Sequence, residues 1–164
     1  MLRLKLFSLD DQRLLAGFYT GAVKMWELSN PPRERIFRGH KDQVNSLALS
    51  PDGHVLASAG TDRLRFWDVD SQLELPQLSL SPIVCTDCVI SQDGRTLAVA
   101  DLNGLITLWN MASRQQVGTL NGHEETLHDL AFSSDGNTLV SVSKAQFRIW
   151  RAASFTKTDS KTAR

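Results

Sequence analysis

Four short segments of the chain alternate apolar and polar residues, and each ends on a tryptophan: Val23-Lys24-Met25-Trp26, Leu64-Arg65-Phe66-Trp67, Ile106-Thr107-Leu108-Trp109 and Phe147-Arg148-Ile149-Trp150. A period of two predicts strands with two different faces. A shorter apolar run precedes each segment: Leu14-Leu15-Ala16, Val55-Leu56-Ala57, Leu97-Ala98-Val99 and Leu139-Val140. Ahead of each run stands a turn, namely Ser8-Leu9-Asp10-Asp11, Ser50-Pro51-Asp52-Gly53, Ser91-Gln92-Asp93-Gly94 and Ser133-Ser134-Asp135-Gly136. Asp-Gly between apolar runs marks a hairpin, because glycine reaches the positive φ that such turns need. Before the turns, apolar residues recur at matching offsets: Val44, Leu47 and Leu49, then Cys85, Cys88 and Ile90, then Leu127, Leu130 and Phe132. A fourth strand candidate lies between units, at Arg35-Ile36-Phe37, at Leu75-Pro76-Gln77-Leu78 and at Gln116-Val117-Gly118-Thr119-Leu120. Pro76 suits an outer edge, where a missing N–H costs little. No amphipathic helix of useful length is visible, so the chain reads as all-β, built from small antiparallel sheets in series.

The tryptophans stand 41, 42 and 41 residues apart, and a fixed period near forty residues means that one supersecondary unit is repeated. The units run over about 2–38, 39–79, 80–121 and 122–152, and the polar stretch 153–164 reads as a flexible tail. Two units open on Gly39-His40 and Gly122-His123, each 28 residues before its tryptophan, and one closes as Trp67-Asp68. These residues and this period resemble the WD40-repeat family. The resemblance implies a partial β-propeller of about four blades, each a four-stranded antiparallel sheet, the last lacking its outer strand. It also implies a buried polar chain of His, Ser or Thr, Asp and Trp within a blade. Carried over by position, the second unit supplies His40, Ser58 and Trp67, and the fourth supplies His123, Ser141 and Trp150. The carboxylate position, counted back from each tryptophan, holds Thr20, Thr61, Asn103 and Lys144 instead. Asp62 lies one place late and can serve only if its turn is remodelled. At most one full network is therefore expected, in the second blade, with Trp26 and Trp109 resting on apolar contacts alone.

Composition narrows the functional classes. Of the 164 residues, 18 are Lys or Arg and 18 are Asp or Glu, so the basic excess of a nucleic-acid binder is missing. No apolar run approaches the length of a membrane span. Arg3, Lys5, Asp10 and Asp11 argue against a secretory leader, and two cysteines fit a reducing, cytoplasmic setting. Cys85-Thr86-Asp87-Cys88 has the Cys-x-x-Cys spacing but neither a second ligand pair for zinc nor a βαβ context for redox chemistry. Its cysteines stand where sister units carry Val44 and Leu47. His123 and His128 flank two glutamates, yet they lie five apart in a loop and strand, whereas a zinc-protease motif needs them four apart on a helix. Ser58 with His40 has the elements of a nucleophile and base. The structural chain explains the same pair without an exposed nucleophile or an oxyanion site. No catalytic, cofactor-binding or metal-binding residue is expected.

Four units are few for a ring, and apolar residues at both ends (Leu2, Leu4, Leu6 and Phe7; Phe132, Phe147 and Ile149) do not read as a polar cap. Three arrangements follow: further blades from a longer chain, a homodimer of eight blades, or closure of four blades alone. The first draws on the resemblance, since bacterial WD40 arrays, sometimes behind a Ser/Thr kinase domain, can end in a stretch similar to Trp150-Arg151-Ala152-Ala153-Ser154-Phe155. The functional expectation is a non-catalytic protein-interaction scaffold, with other proteins as partners and neither nucleic acid nor membrane. Partners would dock where the loops before the inner strands and the turns before the tryptophan strands converge, at Lys41, Asp42, Asp62, Asn103, Glu124, Glu125 and Lys144. The alternatives are a regulatory or sensory module of a multidomain enzyme such as a kinase, and a propeller hydrolase.

Overall fold

A computed structural model describes residues 2–8, 11–76, 84–121 and 123–151. The tail 153–164 lies outside those residues, as do Gln77, Leu78 and Gly122. Among the described residues every regular element is a strand. The first sheet holds β1 (Leu2–Phe7), β2 (Arg13–Phe18), β3 (Val23–Glu27) and β4 (Arg33–Phe37). The second holds β5 (Val44–Leu49), β6 (Val55–Gly60) and β7 (Leu64–Asp68), and the third β8 (Cys85–Ile90), β9 (Thr96–Asp101), β10 (Ile106–Asn110) and β11 (Gln115–Leu120). The fourth holds β12 (Leu127–Phe132), β13 (Thr138–Ser143) and β14 (Phe147–Arg151). All neighbours within a sheet are antiparallel and follow chain order.

Each strand predicted from alternation is present, lengthened by a few residues. The second sheet differs from the expectation of four strands. Among the described residues of its expected outer strand, Leu75 and Pro76 are in no strand, and one isolated bridge joins Glu74 to Trp67. Pro76 cannot donate to a ladder, and the Glu74 carboxylate is engaged by Arg63 and Arg65, which holds this segment by its side chains.

The hairpin turns explain the serine-to-aspartate spacing. Ser50 Oγ donates to Asp52 Oδ1 at 2.5 Å and accepts from the Val55 amide, while Asp52 accepts from the His54 amide. Ser91 with Asp93 and Ser133 with Asp135 repeat this arrangement. Local side-chain bonds of this kind fix a turn without tertiary help. The hydroxyl of each serine holds its aspartate below the ordinary carboxylate value.

Between sheets the core is repeated three times. The face of each sheet that lacks the tryptophan packs on the tryptophan face of the next. Leu15, Val23, Met25 and Phe37 meet Leu47, Leu56 and Trp67. Ala48, Ala57, Ala59, Leu64 and Phe66 meet Cys88, Leu97, Val99 and Trp109. Ala98, Ala100, Ile106 and Leu108 meet Leu127, Leu130, Leu139 and Trp150. The inner strands touch in the order β1, β5, β8, β12, and no comparable contact joins β12 back to β1 among the described residues. The sheets form an open arc. Two residues expected at its uncovered ends are not there: Leu6 packs into the first interface and Phe132 into the third, because their positions in β1 and β12 point inward along the arc. Phe147 and Ile149 are exposed as expected, at 67% and 52%.

Candidate interaction face and the polar chain beneath it

The second sheet carries a continuous polar chain. The indole N–H of Trp67 donates to Ser58 Oγ at 2.8 Å, and Ser58 Oγ lies 2.6 Å from His40 Nε2. His40 Nδ1 lies 2.5 Å from Asp62 Oδ1. Ser58 has one proton and receives one from Trp67, so it donates to an unprotonated Nε2, and Nδ1–H donates to the carboxylate. Burial pushes His40 below the ordinary imidazole value against the pull of Asp62, in keeping with a neutral ring. For Asp62, burial acts to raise the carboxyl. Bonds from His40, the Lys41 amide and Arg65 outweigh it and leave Asp62 below the ordinary value.

Asp62 reaches the imidazole because its turn folds back. Oδ1 also accepts from its neighbour Arg63 N, and Oδ2 from Lys41 N and Arg65 Nη2. Both oxygens are thus committed within the sheet, which removes Asp62 from the residues free to meet a partner. Arg65 is itself buried, lies 5.9 Å from the Trp67 ring and binds Glu74. Gly39 is required by this crowding, since a Cβ there would come within 2.8 Å of the Trp67 ring and 2.9 Å of Arg65.

The fourth sheet has three members of the same chain. Trp150 Nε1 donates to Ser141 Oγ at 2.8 Å, and His123 Nε2 lies 2.7 Å from that oxygen. His123 Nδ1, buried, has no hydrogen-bond partner among the described residues. Burial and the nearby Arg148 charge lower its affinity for a proton. In the third sheet Trp109 departs from the expectation of purely apolar contacts: its N–H donates to Thr107 Oγ1 at 3.0 Å. Thr107 sits two residues earlier on the same strand, a position that the His–Ser–Asp pattern does not point to. Trp26 has no such chain among the described residues, and the Lys24 ammonium lies 6.0 Å from its ring.

Above the polar chains, the turns before the tryptophan strands meet the loops before the next inner strands. Asp101 is buried, and its Oδ1 accepts from Asn103 N and Leu105 N. Gly104 allows that turn to lie on the His123 loop, where a Cβ would come within 2.5 Å of the His123 carbonyl oxygen. Thr126 Oγ1 closes the junction by donating to Leu102 O. Between the third and fourth sheets this leaves an open groove of about 660 Å³, lined by Asn103, Glu124, Glu125 and Lys144 with Leu102 and His128 among others. A second groove of about 330 Å³, reaching Gln43 and Thr61 of the second sheet, shares Leu102, Thr126 and His128 with the first. Lys41 and Asp42 are exposed on the same side but line neither groove. Leu102 and Asp101 were not singled out by sequence, and His128 was weighed only as a metal ligand. Only the repeat register signals them: His128 is the extra residue of the β12 bulge, and Asp101 ends β9 just before the turn.

A family model described as "WD domain, G-beta repeat" matches residues 32–68 and 114–151. These segments hold the two tryptophan-terminated polar chains just described. The chain carries WD40 repeats. It is 36% identical over 120 residues to a WD repeat-containing protein of Synechocystis, covering 71% of this chain and 34% of that protein. It is 32% identical over 145 residues to rat apoptotic protease-activating factor 1, covering 81% of this chain and 11% of that one. It is 26% identical over 151 residues to the rice small ribosomal subunit protein RACK1y, covering 87% and 44%. The chain thus spans less than half the length of each of these relatives.

The other sequence motifs are absorbed by WD40 packing. Cys85 and Cys88 form no disulfide and are buried between the second and third blades. Burial pushes the Cys85 thiol up to about 12 and Cys88 well above its ordinary value, the reverse of what a nucleophile or metal ligand needs. Among the described residues no group of three or more His, Cys, Asp and Glu is placed to hold a metal. Among the described residues no helix is long and apolar enough to cross a membrane.

Proposed function

We propose that this chain is a non-catalytic protein-interaction module whose docking face is the loop side of the third and fourth blades. The groove carries this reading. Asn103, Glu124, Glu125 and Lys144, named from the repeat alone as partner candidates, line one depression wide enough for several side chains. Its mixed charges favour a polar, register-specific contact with a folded protein or a peptide over general attraction to a polyanion. The His40–Ser58–Asp62 geometry resembles a hydrolytic triad but argues for a structural role. Ser58 is 0% exposed and its Oγ is occupied by the Trp67 N–H, so no acyl group can reach it. The two buried thiols and the balanced charge fit a cytoplasmic setting. In relatives such as apoptotic protease-activating factor 1 the matching stretch is a small part of a longer chain, which supports the second reading, a regulatory or sensory module within a larger protein.

The test compares proteins cross-linked to three versions of the chain. Glu124→Lys with Glu125→Lys should lose partners that the unaltered chain retains. Arg95→Glu, on the opposite, hairpin-turn side, should keep them. Equal recovery by all three would overturn the groove assignment. Labelling of Ser58 by a serine-reactive phosphonate would overturn the non-catalytic one.

A further inference from the structure

The two grooves of the loop side share Leu102, Thr126 and His128. They therefore form one trough, from the fourth blade across the third to the second. Its ends differ in chemistry. At the fourth blade, Glu124 and Glu125 set two carboxylates against the single ammonium of Lys144. At the second blade the lining is neutral, with Gln43 and Thr61. Leu102 stands where the two grooves join and is 48% exposed. A single exposed leucine is ordinary on a surface, but at this junction a side chain lying in the trough would cover it.

The neutral end carries a repeated device. Asn45, Thr86 and His128 are the extra residues of bulges in β5, β8 and β12, and all three line the second groove. A bulge takes one residue out of the ladder and re-aims its side chain. Asn45 is engaged within the protein: its amide donates to Cys85 O at 2.7 Å and accepts from Gln43. Thr86 differs. Its Oγ1 is buried and has no hydrogen-bond partner among the described residues. A buried hydroxyl in that state carries a desolvation cost that a bound hydrogen-bonding group would remove. A hydroxyl both donates and accepts, which suits a peptide backbone, where N–H and C=O alternate.

We infer that the trough binds an extended, basic segment of a partner protein, with a Lys or Arg side chain at Glu124 and Glu125, an apolar side chain on Leu102 and a backbone group on Thr86 Oγ1. This rests on the loop-side groove being the docking face, and it adds the chemical class of the occupant. The excess of carboxylate over ammonium selects the basic residue and disfavours an acidic segment.

Amide chemical-shift titration of the purified chain tests the inference. The probes are three pools of synthetic decapeptides, randomised over neutral residues except for a central lysine, glutamate or alanine. The lysine pool should shift the amides of Thr86, Leu102, Glu124 and Glu125, with an apparent affinity roughly tenfold or more above that of the glutamate pool. Glu124→Gln with Glu125→Gln, both at exposed positions, should bring the pools to near parity, and Lys144→Ala should widen the difference. Thr86→Val should weaken binding of the lysine pool several-fold while the melting temperature stays level or rises, because the hydroxyl removed has no partner in the free chain. A residue that only packs would not split the two readouts in this way. Equal affinity for the lysine and alanine pools, a preference for glutamate, or no shift with any pool would overturn the basic-segment assignment. Shifts that map away from the trough would overturn the docking face itself. Unchanged binding by Thr86→Val would remove Thr86 from the site.

Discussion

Truncating Trp67 to alanine tests whether the polar chain of the second blade contributes to stability or merely accompanies packing. Trp67 is 1% exposed, packs edge-on against Phe37 at 5.9 Å and donates its N–H to a serine that is wholly buried. Removing the ring leaves a cavity, which for a buried tryptophan costs about 3–5 kcal/mol. Ser58 loses one partner but keeps His40, adding about 1 kcal/mol. Against a total stability on the order of 5–15 kcal/mol for a domain, this is a large fraction. Trp67→Phe keeps most of the buried surface and removes the N–H, so it should cost about 1–2 kcal/mol. Trp26→Ala, at a half-buried indole, should cost less than Trp67→Ala by at least about 2 kcal/mol. Urea titrations followed by circular dichroism supply the values. Because stacked repeats couple mainly to their neighbours, amide exchange in β5, β6 and β7 should accelerate first. A loss below about 1 kcal/mol for Trp67→Ala, or equal losses at Trp67 and Trp26, would refute the reasoning.

The pH dependence follows from the lowered His40 value. The unfolded chain takes up the proton more readily, so stability is full above the ordinary imidazole value of 6.5 and falls as pH drops below it. His40→Gln should flatten that slope in urea titrations without abolishing it, because His123 is lowered as well. Asp87 has the opposite sign. Burial raises it despite bonds from Ser46 and the Leu130 amide, and exposed Asp129 adds to the shift. Its contribution is full below the ordinary value of 3.8 and is lost as pH rises through the folded value. Asp87→Asn should therefore raise the melting temperature at pH 7, with the difference vanishing below pH 3.8. Thr107→Val leaves the Trp109 N–H without its acceptor in a buried site and should cost about 1–3 kcal/mol by urea titration, while Thr107→Ser should cost less.

The strands were legible in the chain because period-two alternation and Ser-x-Asp-Gly turns are local signals, and local side-chain bonds at Ser50, Ser91 and Ser133 do fix those turns. The repeat supplied the blade order and four residues of the groove, Asn103, Glu124, Glu125 and Lys144. What escaped depends on contacts that no local pattern encodes. Leu75 and Pro76, expected in an outer strand, instead follow a Glu74 held by two arginines, one of them Arg65 in the blade interior. Thr107 serves Trp109 from the same strand, outside the Ser position that the family pattern indicates. Asp62 lies one residue from its expected place, and only the folded-back turn, with Oδ1 and Oδ2 both bonded locally, brings it to His40.

The inequality of the blades bears on where binding would evolve. In the second blade the turn before the tryptophan strand is tied down by the carboxylate of Asp62, and a side chain so occupied has nothing left for a partner. In the third and fourth blades the position that the family pattern reserves for a carboxylate holds Asn103 and Lys144, both exposed and both in the groove. The third blade recovers the lost anchor from Asp101, which holds the same turn from beneath. The fourth does not recover it, and His123 Nδ1 stays unpartnered among the described residues. A buried polar atom without a partner costs about 1–3 kcal/mol. The fourth blade therefore gives up stability at the place where its side chains face the groove. If the groove is the docking face, Ala145→Asp should show that exchange directly, since Ala145 holds the Asp62 position in a turn closed as Gly60–Arg63 is and also lines the groove. An acid placed there should stabilise the blade while the side chain added to the groove weakens partner binding. A variant that is neither more stable nor weaker in binding would separate the two roles.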